Sequence, residues 1–520
     1  MPDPVPAEPP HLSPADFRAL LHRAADFAAD YYDRLASGDP ALPVLPAAKP
    51  GDVLRALPEH PPERPADPAS EWDALFRDLN EIILPNLTHW QHPGFFAYFP
   101  CNASGPAIVG SLLSAALNVN GMLWATSPAA TELEARVLDW MAELLGLPRR
   151  FRSASGEGGG CIQGTASESA LVAMIAARQR ARERHRREPD ARTTDPATPD
   201  APVDHRLVAY ASTQAHSSIT KAAMILGLAA SPTDRRRLRL LPTGPDHAMD
   251  PAALERAVRE DLAAGLVPFF VAATVGTTGS TAVDPLPAIA EVVRRLAPGC
   301  WIHIDAAFAG AACVCPEHRW MLDGIEHADS LCMNPHKWLL TNFDCDLFWT
   351  ADRRSLTAAL SITPEYLRNA ASEAGGVIDY RDWQIPLGRS FRSLKLWLVL
   401  RHYGAEGLRA HIRHHVRLAE RFESWVRADG RFEITAPRTT SLVCFRLRPL
   451  PGEAPAETDA RNRRLMEAVN ATGHTYLTHA ALPDPAHPAG ASVTLRLAIG
   501  GALTREEHVR RAWEALRALA

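Results

Sequence analysis

The segment Asn334-Pro335-His336-Lys337-Trp338 concentrates the most chemistry in the fewest residues. A lysine that attacks a carbonyl carbon must be neutral, and burial among apolar groups lowers its pKa toward that state. Pro335 before Lys337 and Trp338, Leu339 and Leu340 after it supply such surroundings. A surface lysine laying its stem along a tryptophan is the competing description of the same residues. A second segment, Trp301-Ile302-His303-Ile304-Asp305-Ala306-Ala307, reads as a buried strand that ends on a carboxylate and then on small residues. Ligands of parallel sheets collect at the carboxyl ends of strands. An acid placed there can hold a pyridinium nitrogen protonated, while capping the next helix is the alternative use of Asp305.

Gly156 and Gly158-Gly159-Gly160 precede Gly164-Thr165-Ala166-Ser167-Glu168, which opens a helix through Arg178. Thr165 and Glu168 stand at capping-box spacing. Free N–H groups after such a glycine run, with the hydroxyls of Thr165 and Ser167, would seat an anion such as phosphate; no P-loop lysine follows. Gln214-Ala215-His216-Ser217-Ser218 puts an imidazole just beyond another strand. It can stack on a flat ring and exchange protons near neutral pH, or serve the fold alone. Thr277-Thr278 and Asp284 lie where loops leave the sheet edge. His411, His414 and His415 look metal-like, but they sit on a charged amphipathic stretch with no acid or cysteine at ligand spacing, and no metal is expected.

Between residues 105 and 395 helical segments alternate with short apolar runs at 207–211, 269–275, 301–304 and 347–349, with a helix at 287–296. That alternation predicts an α/β domain with a largely parallel sheet. Beyond it, helices at 393–402, 408–428 and 459–470 and strands at 441–447 and 492–499 predict a smaller α+β domain. Residues 13–35 carry apolar side chains at helical spacing, with Ser13 as N-cap and Pro14 at the first helical position. A Pro-rich connector (40–68) and a second helix (71–83) follow. Two helices without a core of their own point to a partner subunit. Residues 178–206, rich in charge, Pro and Thr, read as a mobile surface insertion.

The 55 basic and 60 acidic residues of the 520 nearly cancel, which speaks against a nucleic-acid partner or an anionic membrane surface. The most apolar stretch, 266–275, is broken by Pro268 and falls short of the ~20 residues a membrane helix needs. The Pro-rich, acid-bearing start lacks the basic region and apolar run of a secretory leader. Eight cysteines lie scattered without framework spacing, as reduced thiols of a cytoplasmic protein would.

Together these segments resemble the group II pyridoxal-phosphate-dependent decarboxylases, and most closely the aromatic-L-amino-acid decarboxylases. The resemblance spans nearly the whole chain: His89-Trp90-Gln91-His92-Pro93, Phe95-Phe96-Ala97-Tyr98-Phe99-Pro100, Ser127-Pro128-Ala129, residues 156–160, 214–218 and 334–340, and Trp383-Gln384-Ile385-Pro386-Leu387-Gly388. It implies a fold-type-I homodimer with an N-terminal helical dimerisation segment (1–104), a large cofactor domain (105–394) and a small C-terminal domain (395–520). It implies Lys337 as the Schiff-base lysine, Asp305 on the pyridine nitrogen and His216 stacked on the ring, with His303 beneath His216 or the region of the ring oxygen. Thr165, Ala166, Ser167, Ser330, Asn334 and His336 would surround the phosphate, and Thr278 and Asp284 would support the cofactor. Trp90, Tyr98 and Phe99 would line the substrate pocket, partly across the dimer interface, and Tyr366, in a mobile segment at 362–373, would be the protonating acid.

The activity implied is removal of the carboxylate of an aromatic L-amino acid. Phe308 replaces the tyrosine common in animal members, and Cys101 replaces a hydroxyl residue. Asn120 and Met122 stand where an aliphatic and an aromatic residue usually form the pocket wall. Gly388 resembles the small residue that accompanies indolic substrates in plant members, which favours tryptophan or a hydroxytryptophan over DOPA, tyrosine or phenylalanine. The rivals are an aromatic acetaldehyde synthase, disfavoured by retention of Tyr366 and His216; an acidic-substrate decarboxylase, disfavoured by the aromatic wall; and a silent binding homologue, disfavoured by retention of Lys337, Asp305 and Tyr366.

Overall fold

Side chains alternate along the central strands, and both sets are buried, one on each face of the sheet. The computed structural model describes residues 11–61, 71–187, 203–362, 364–368 and 370–520, with backbone alone at 71 and 366. Its main sheet holds β1 (Gly159–Gln163), β2 (Leu207–Ser212), β3 (Leu238–Leu241), β4 (Val267–Thr274), β5 (Trp301–Asp305), β6 (Ser330–Met333) and β7 (Asp346–Thr350), in the order β1-β7-β6-β5-β4-β2-β3. Strands β3, β2, β4, β5 and β6 run parallel, and β7 pairs antiparallel with both β6 and β1. Val208, Tyr210, Val271, Ala273, Ile302 and Ile304 enter one core, with helices Pro128–Leu145, Pro251–Ala263 and Leu286–Leu296. Leu207, Ala209, Phe270, Ala272, Trp301 and Cys332 enter the other, beneath helix Ala166–Arg187. Burial on both faces is what a parallel sheet with helical crossovers requires.

A second, antiparallel sheet holds β8 (Phe432–Ile434), β9 (Leu442–Leu447), β10 (Thr478–Pro483) and β11 (Ala491–Ala498), in the order β10-β11-β9-β8. Helices Pro455–Asn470 and Glu506–Leu519 complete its core through Leu465, Val469, Val509 and Leu516. The helical stretch Arg392–Ala428 joins the two halves, and Gly404, at φ 59°, interrupts it, so two helical segments appear where the sequence suggests two. At the N-terminus, Ser13 caps helix Pro14–Ser37 by accepting the N–H of Asp16 at 3.1 Å. That helix buries Leu35 against Leu42 and Leu84 but leaves Phe17 exposed. Helix Gly105–Leu117 likewise leaves Val109, Leu112 and Leu113 uncovered.

Two expectations need correction. The helix that opens at Ala166 does not end near Arg178 but runs to Arg187. Its charged turns are tied down by Arg180 on Asp329 at 2.6 Å, by Arg182 on Asp204, and by Gln179 on Glu183 four residues on. Residues 188–202, the centre of the expected insertion, lie outside the described residues. The glycine run is not a phosphate loop either, because Gly159 and Gly160 are the first residues of β1. A Cβ on Gly158 would fall 2.2 Å from the carbonyl oxygens of Arg150 and Thr350, and one on Gly160 would fall 2.8 Å from the Trp349 ring. Glycine is demanded there by the closeness of neighbouring strands and side chains. Among the described residues no helix is long and apolar enough to cross a membrane.

Candidate active site

The carboxyl ends of β4, β5 and β6 meet the start of helix Ala166–Arg187 around a cavity of about 230 Å³, lined among others by Lys337, Asp305, His216 and Thr165. Lys337 lies on a single helical turn, Pro335–Trp338, and its N–H donates to the Asn334 carbonyl at 3.1 Å. Asn102 holds this loop from both sides: its N–H donates to the His336 carbonyl at 2.8 Å, and its Oδ1 accepts from Leu340 N–H at 3.1 Å. The Lys337 amine stands 5.6 Å from the centre of the Phe99 ring. Burial pushes its pKa below the ordinary lysine range, against the pull of Asp305. The result is an amine biased toward its nucleophilic, neutral form.

Asp305 ends β5 and is 5% exposed. Its Oδ1 accepts from Ala307 N–H at 3.1 Å, and the thiol of Cys332 lies 3.9 Å away. No α-helix follows it, only the short 3-10 stretch Ala309–Val314, so it is not a helix cap.

Thr165, Ala166 and Ser167 line the opposite end of the cavity. Glu168 turns back to accept the N–H of Gly164 at 3.0 Å, one residue before the capping box that the spacing suggests. The helix-start N–H groups and the two hydroxyls therefore remain available for an anion. Asn334 is buried, and its Oδ1 has no hydrogen-bond partner among the described residues. His336 accepts the N–H of Cys345 on Nδ1 at 3.0 Å, so its proton sits on Nε2. Burial holds its pKa down to about 4, which keeps the ring a neutral donor. An amine, an acid facing it and a cup of uncharged donors in one slot fit pyridoxal phosphate, whose aldehyde, ring nitrogen and phosphate need these three kinds of group.

His216 caps helix Ser217–Ile225 by accepting Ser218 N–H on Nδ1 at 3.2 Å, which again leaves the proton on Nε2. Burial lowers its pKa, and the Lys337 charge adds to the effect. Thr278 lines the cavity, whereas the Thr277 hydroxyl turns to Ser280 at 3.1 Å. Asp284 stands behind the cavity and accepts from Met249 N–H at 2.7 Å and Thr274 N–H at 2.8 Å, so it braces the end of β4. Burial raises its carboxyl to about 6.

Ser330 and His303 depart from expectation. Neither lines the cavity, because Ser330 opens β6, at the far end from the site. Its hydroxyl accepts the Trp301 indole N–H at 2.7 Å and meets His303 Nδ1 at 2.9 Å, so both side chains are consumed by the core. His415, in the metal-like cluster, accepts the Trp338 indole N–H at 3.0 Å.

Phe99 does line the cavity and stacks on Phe308 at 3.8 Å and 13°; Phe308 in turn stacks on Trp338 at 4.8 Å. Phe343 adds a third ring, edge-on to His336. Sequence reasoning missed Phe343 and Asn102, and nothing in their local pattern marks them. The other substrate residues are elsewhere on the chain. Trp90 and Tyr98 stack at 5.8 Å on the surface, 40% and 50% exposed. Asn120, Met122 and Gly388 gather apart from them: Asn120 Oδ1 accepts Arg389 N–H at 3.0 Å, and the Met122 carbonyl accepts Arg381 N–H at 3.0 Å. None of these five lines the Lys337 cavity. Tyr366 belongs to the turn Glu365–Leu367, and its side chain lies outside the described residues.

Residues 50–448 match the pyridoxal-dependent decarboxylase conserved domain. The chain is 47% identical over 514 residues to tryptophan decarboxylase 2 of Oryza sativa subsp. japonica, covering 97% of this chain and 95% of that one. It is also 47% identical over 506 residues to phenylacetaldehyde synthase of Arabidopsis thaliana, covering 97% and 96%. The crystal structure of Oryza sativa TDC with PLP and tryptamine superposes with a TM-score of 0.88 at 43% identity, covering 98% of each chain.

Proposed function

The chain belongs to the pyridoxal-dependent decarboxylase family, and from that membership we propose how its residues divide the work. It is a carboxy-lyase that acts with pyridoxal phosphate on an aromatic L-amino acid. The observation that carries the reading is the meeting of Lys337, Asp305 and the uncharged anion cup in one cavity.

When bound, the cofactor supplies a sink for the electron pair left behind as the carboxylate departs. Lys337 would be the residue that holds its aldehyde carbon. Asp305 would face the ring nitrogen and favour its protonated form. The Nε2–H of His336, the Asn334 amide, the hydroxyls of Thr165 and Ser167 and the N–H groups at Ala166 would bind the phosphate. His216 would lie against the ring, Thr278 would support the cofactor, and Tyr366 would supply the proton to Cα. Phe99, Phe308 and Phe343 offer flat apolar surfaces. Among the described residues no arginine and no second lysine lines the cavity, so an acidic side chain would find no counter-ion.

Trp90 and Tyr98 on one side, and Asn120, Met122 and Gly388 on another, complete the substrate pocket in a homodimer. The uncovered Phe17, Val109, Leu112 and Leu113 support that assembly. Within the aromatic substrates, tryptophan or a hydroxytryptophan is preferred, because Gly388 leaves room for an indole. Eight unpaired cysteines, seven of them buried, suit a reducing, cytoplasmic setting.

A panel of L-amino acids assayed for amine and carbon dioxide tests the reading. Tryptamine with one equivalent of carbon dioxide is expected from tryptophan. Aldehyde with hydrogen peroxide instead would make the chain an acetaldehyde synthase, and turnover of glutamate alone would overturn the aromatic assignment.

A further inference from the structure

One fully buried acid has no part in the mechanism above. Asp346 opens β7, and the Ser169 hydroxyl, in the first turn of helix Ala166–Arg187, donates to its Oδ2. Its Oδ1 has no hydrogen-bond partner among the described residues. Gln163 lies directly opposite on β1; its Nε2 donates to the Trp383 carbonyl at 2.8 Å, and its buried Oε1 also lacks a donor among the described residues. Opposite residues of an antiparallel pair bring their Cβ atoms to within about 5.5 Å. One step past the end of β6, the β6–β7 register sets Asn334 on the other side of Asp346, and its Oδ1 is the third buried oxygen without a donor.

Among the described residues, the charged and titratable groups around Asp346 are Asp305 from β5, Lys337 from its helical turn, Glu168 from the helix above, and the thiols of Cys332 from β6 and of the adjacent Cys345. Two of these are acids, and the lysine is itself biased toward neutrality. An ionised Asp346 would add another negative charge behind a phosphate site and leave a row of acceptors with nothing to accept. A single proton on Oδ1 removes the added charge and gives that row a donor.

We propose that Asp346 is held as a neutral carboxylic acid whose Oδ1–H donates to Gln163 Oε1, and that it is a positioning residue for the phosphate cup, fixing the helix start through Ser169 and flanking Asn334. Burial acts in the same direction and raises its carboxyl well above the ordinary range. The positioning role rests on the cofactor reading given above; the protonation state does not, so the two can fail separately.

The infrared difference spectrum of wild-type holoenzyme against Asp346→Asn at neutral pH reads the protonation state directly. A carboxylic-acid carbonyl band present only in the wild type is expected, and a carboxylate band in its place would overturn the proposal. Asp346→Ser serves as the reference if Asp346→Asn does not fold. The positioning role is read from pyridoxal phosphate titrated into apoenzyme. Asp346→Asn, which mimics the neutral acid, is expected to stay within about threefold of the wild-type Kd. Asp346→Leu, which removes both polar contacts, is expected to weaken binding by about tenfold. A loss of tenfold or more in Asp346→Asn, or none in Asp346→Leu, would overturn it.

Discussion

His336→Ala separates two jobs that one ring performs. Its Nδ1 accepts the N–H of Cys345, a residue with no exposed surface, so the variant strands a buried donor. That costs about 1–3 kcal/mol of apoenzyme stability. Its Nε2–H is the donor offered to the phosphate, and a hydrogen bond to a charged group is worth about 1.5–3 kcal/mol. At about 1.4 kcal/mol per decade, cofactor binding should weaken roughly 10- to 150-fold. Titration of apoenzyme with pyridoxal phosphate, followed by tryptophan fluorescence, measures the second loss, and thermal unfolding of apoenzyme measures the first. The pH dependence carries a sign. The pKa of His336 falls from 6.5 to about 4 on folding, so the unfolded chain takes up the proton first on acidification. Stability is therefore lost between pH 6.5 and about 4, by up to about 3 kcal/mol for this ring. His92 and His303 act in the same direction at about 4. Asp284, raised to about 6, opposes them, its contribution being lost as pH rises through that value. Apoenzyme should thus melt at lower temperature as pH drops below 6.5, and less steeply in His336→Ala. A folded His336→Ala with a Kd within twofold of wild type would refute the assignment of the cup.

Three further outcomes are expected. Gly388→Ser should shift kcat/KM from L-tryptophan toward L-DOPA and L-tyrosine; a Cβ there meets only the Asn120 amide, at 3.8 Å, so the change is tolerated by the fold, and a wild type that clearly prefers L-DOPA would sink the idea. Tyr366→Phe keeps the ring but removes the proton for Cα, so amine should fall steeply while the carbanionic intermediate is oxidised by dissolved molecular oxygen, which is reduced to hydrogen peroxide, and water releases aromatic acetaldehyde and ammonia; normal amine formation without peroxide would transfer the acid role, to His216 first. Removing residues before Glu71 should leave monomeric or aggregated, inactive protein by sedimentation, and a stable active monomer would contradict the dimer.

The strands that form the floor of the site were legible because β4 and β5 are apolar runs ending on Thr274 and Asp305, where chemistry changes at a sheet edge. Strand β1 was hidden by its glycines, which the neighbouring carbonyls and the Trp349 ring require but which strands ordinarily avoid. Lys337, Asp305, His216, Asn334 and His336 announced themselves because each stands in a short polar interruption of apolar sequence. Ser330 misled because its position after Asp329 says nothing of the Trp301 and His303 rings that claim its hydroxyl. Phe343 and Asn102 reach the site through loops whose course depends on long-range hydrogen bonds, such as Asn102 to Leu340, that no local pattern encodes.

The central claim is that the Lys337 amine carries the cofactor, and borohydride reduction of the holoenzyme followed by peptide mass mapping tests it most directly. The pyridoxyl phosphate mass is predicted on the peptide holding Lys337, and on none in Lys337→Ala. Finding that mass on another lysine of the wild type would contradict the account.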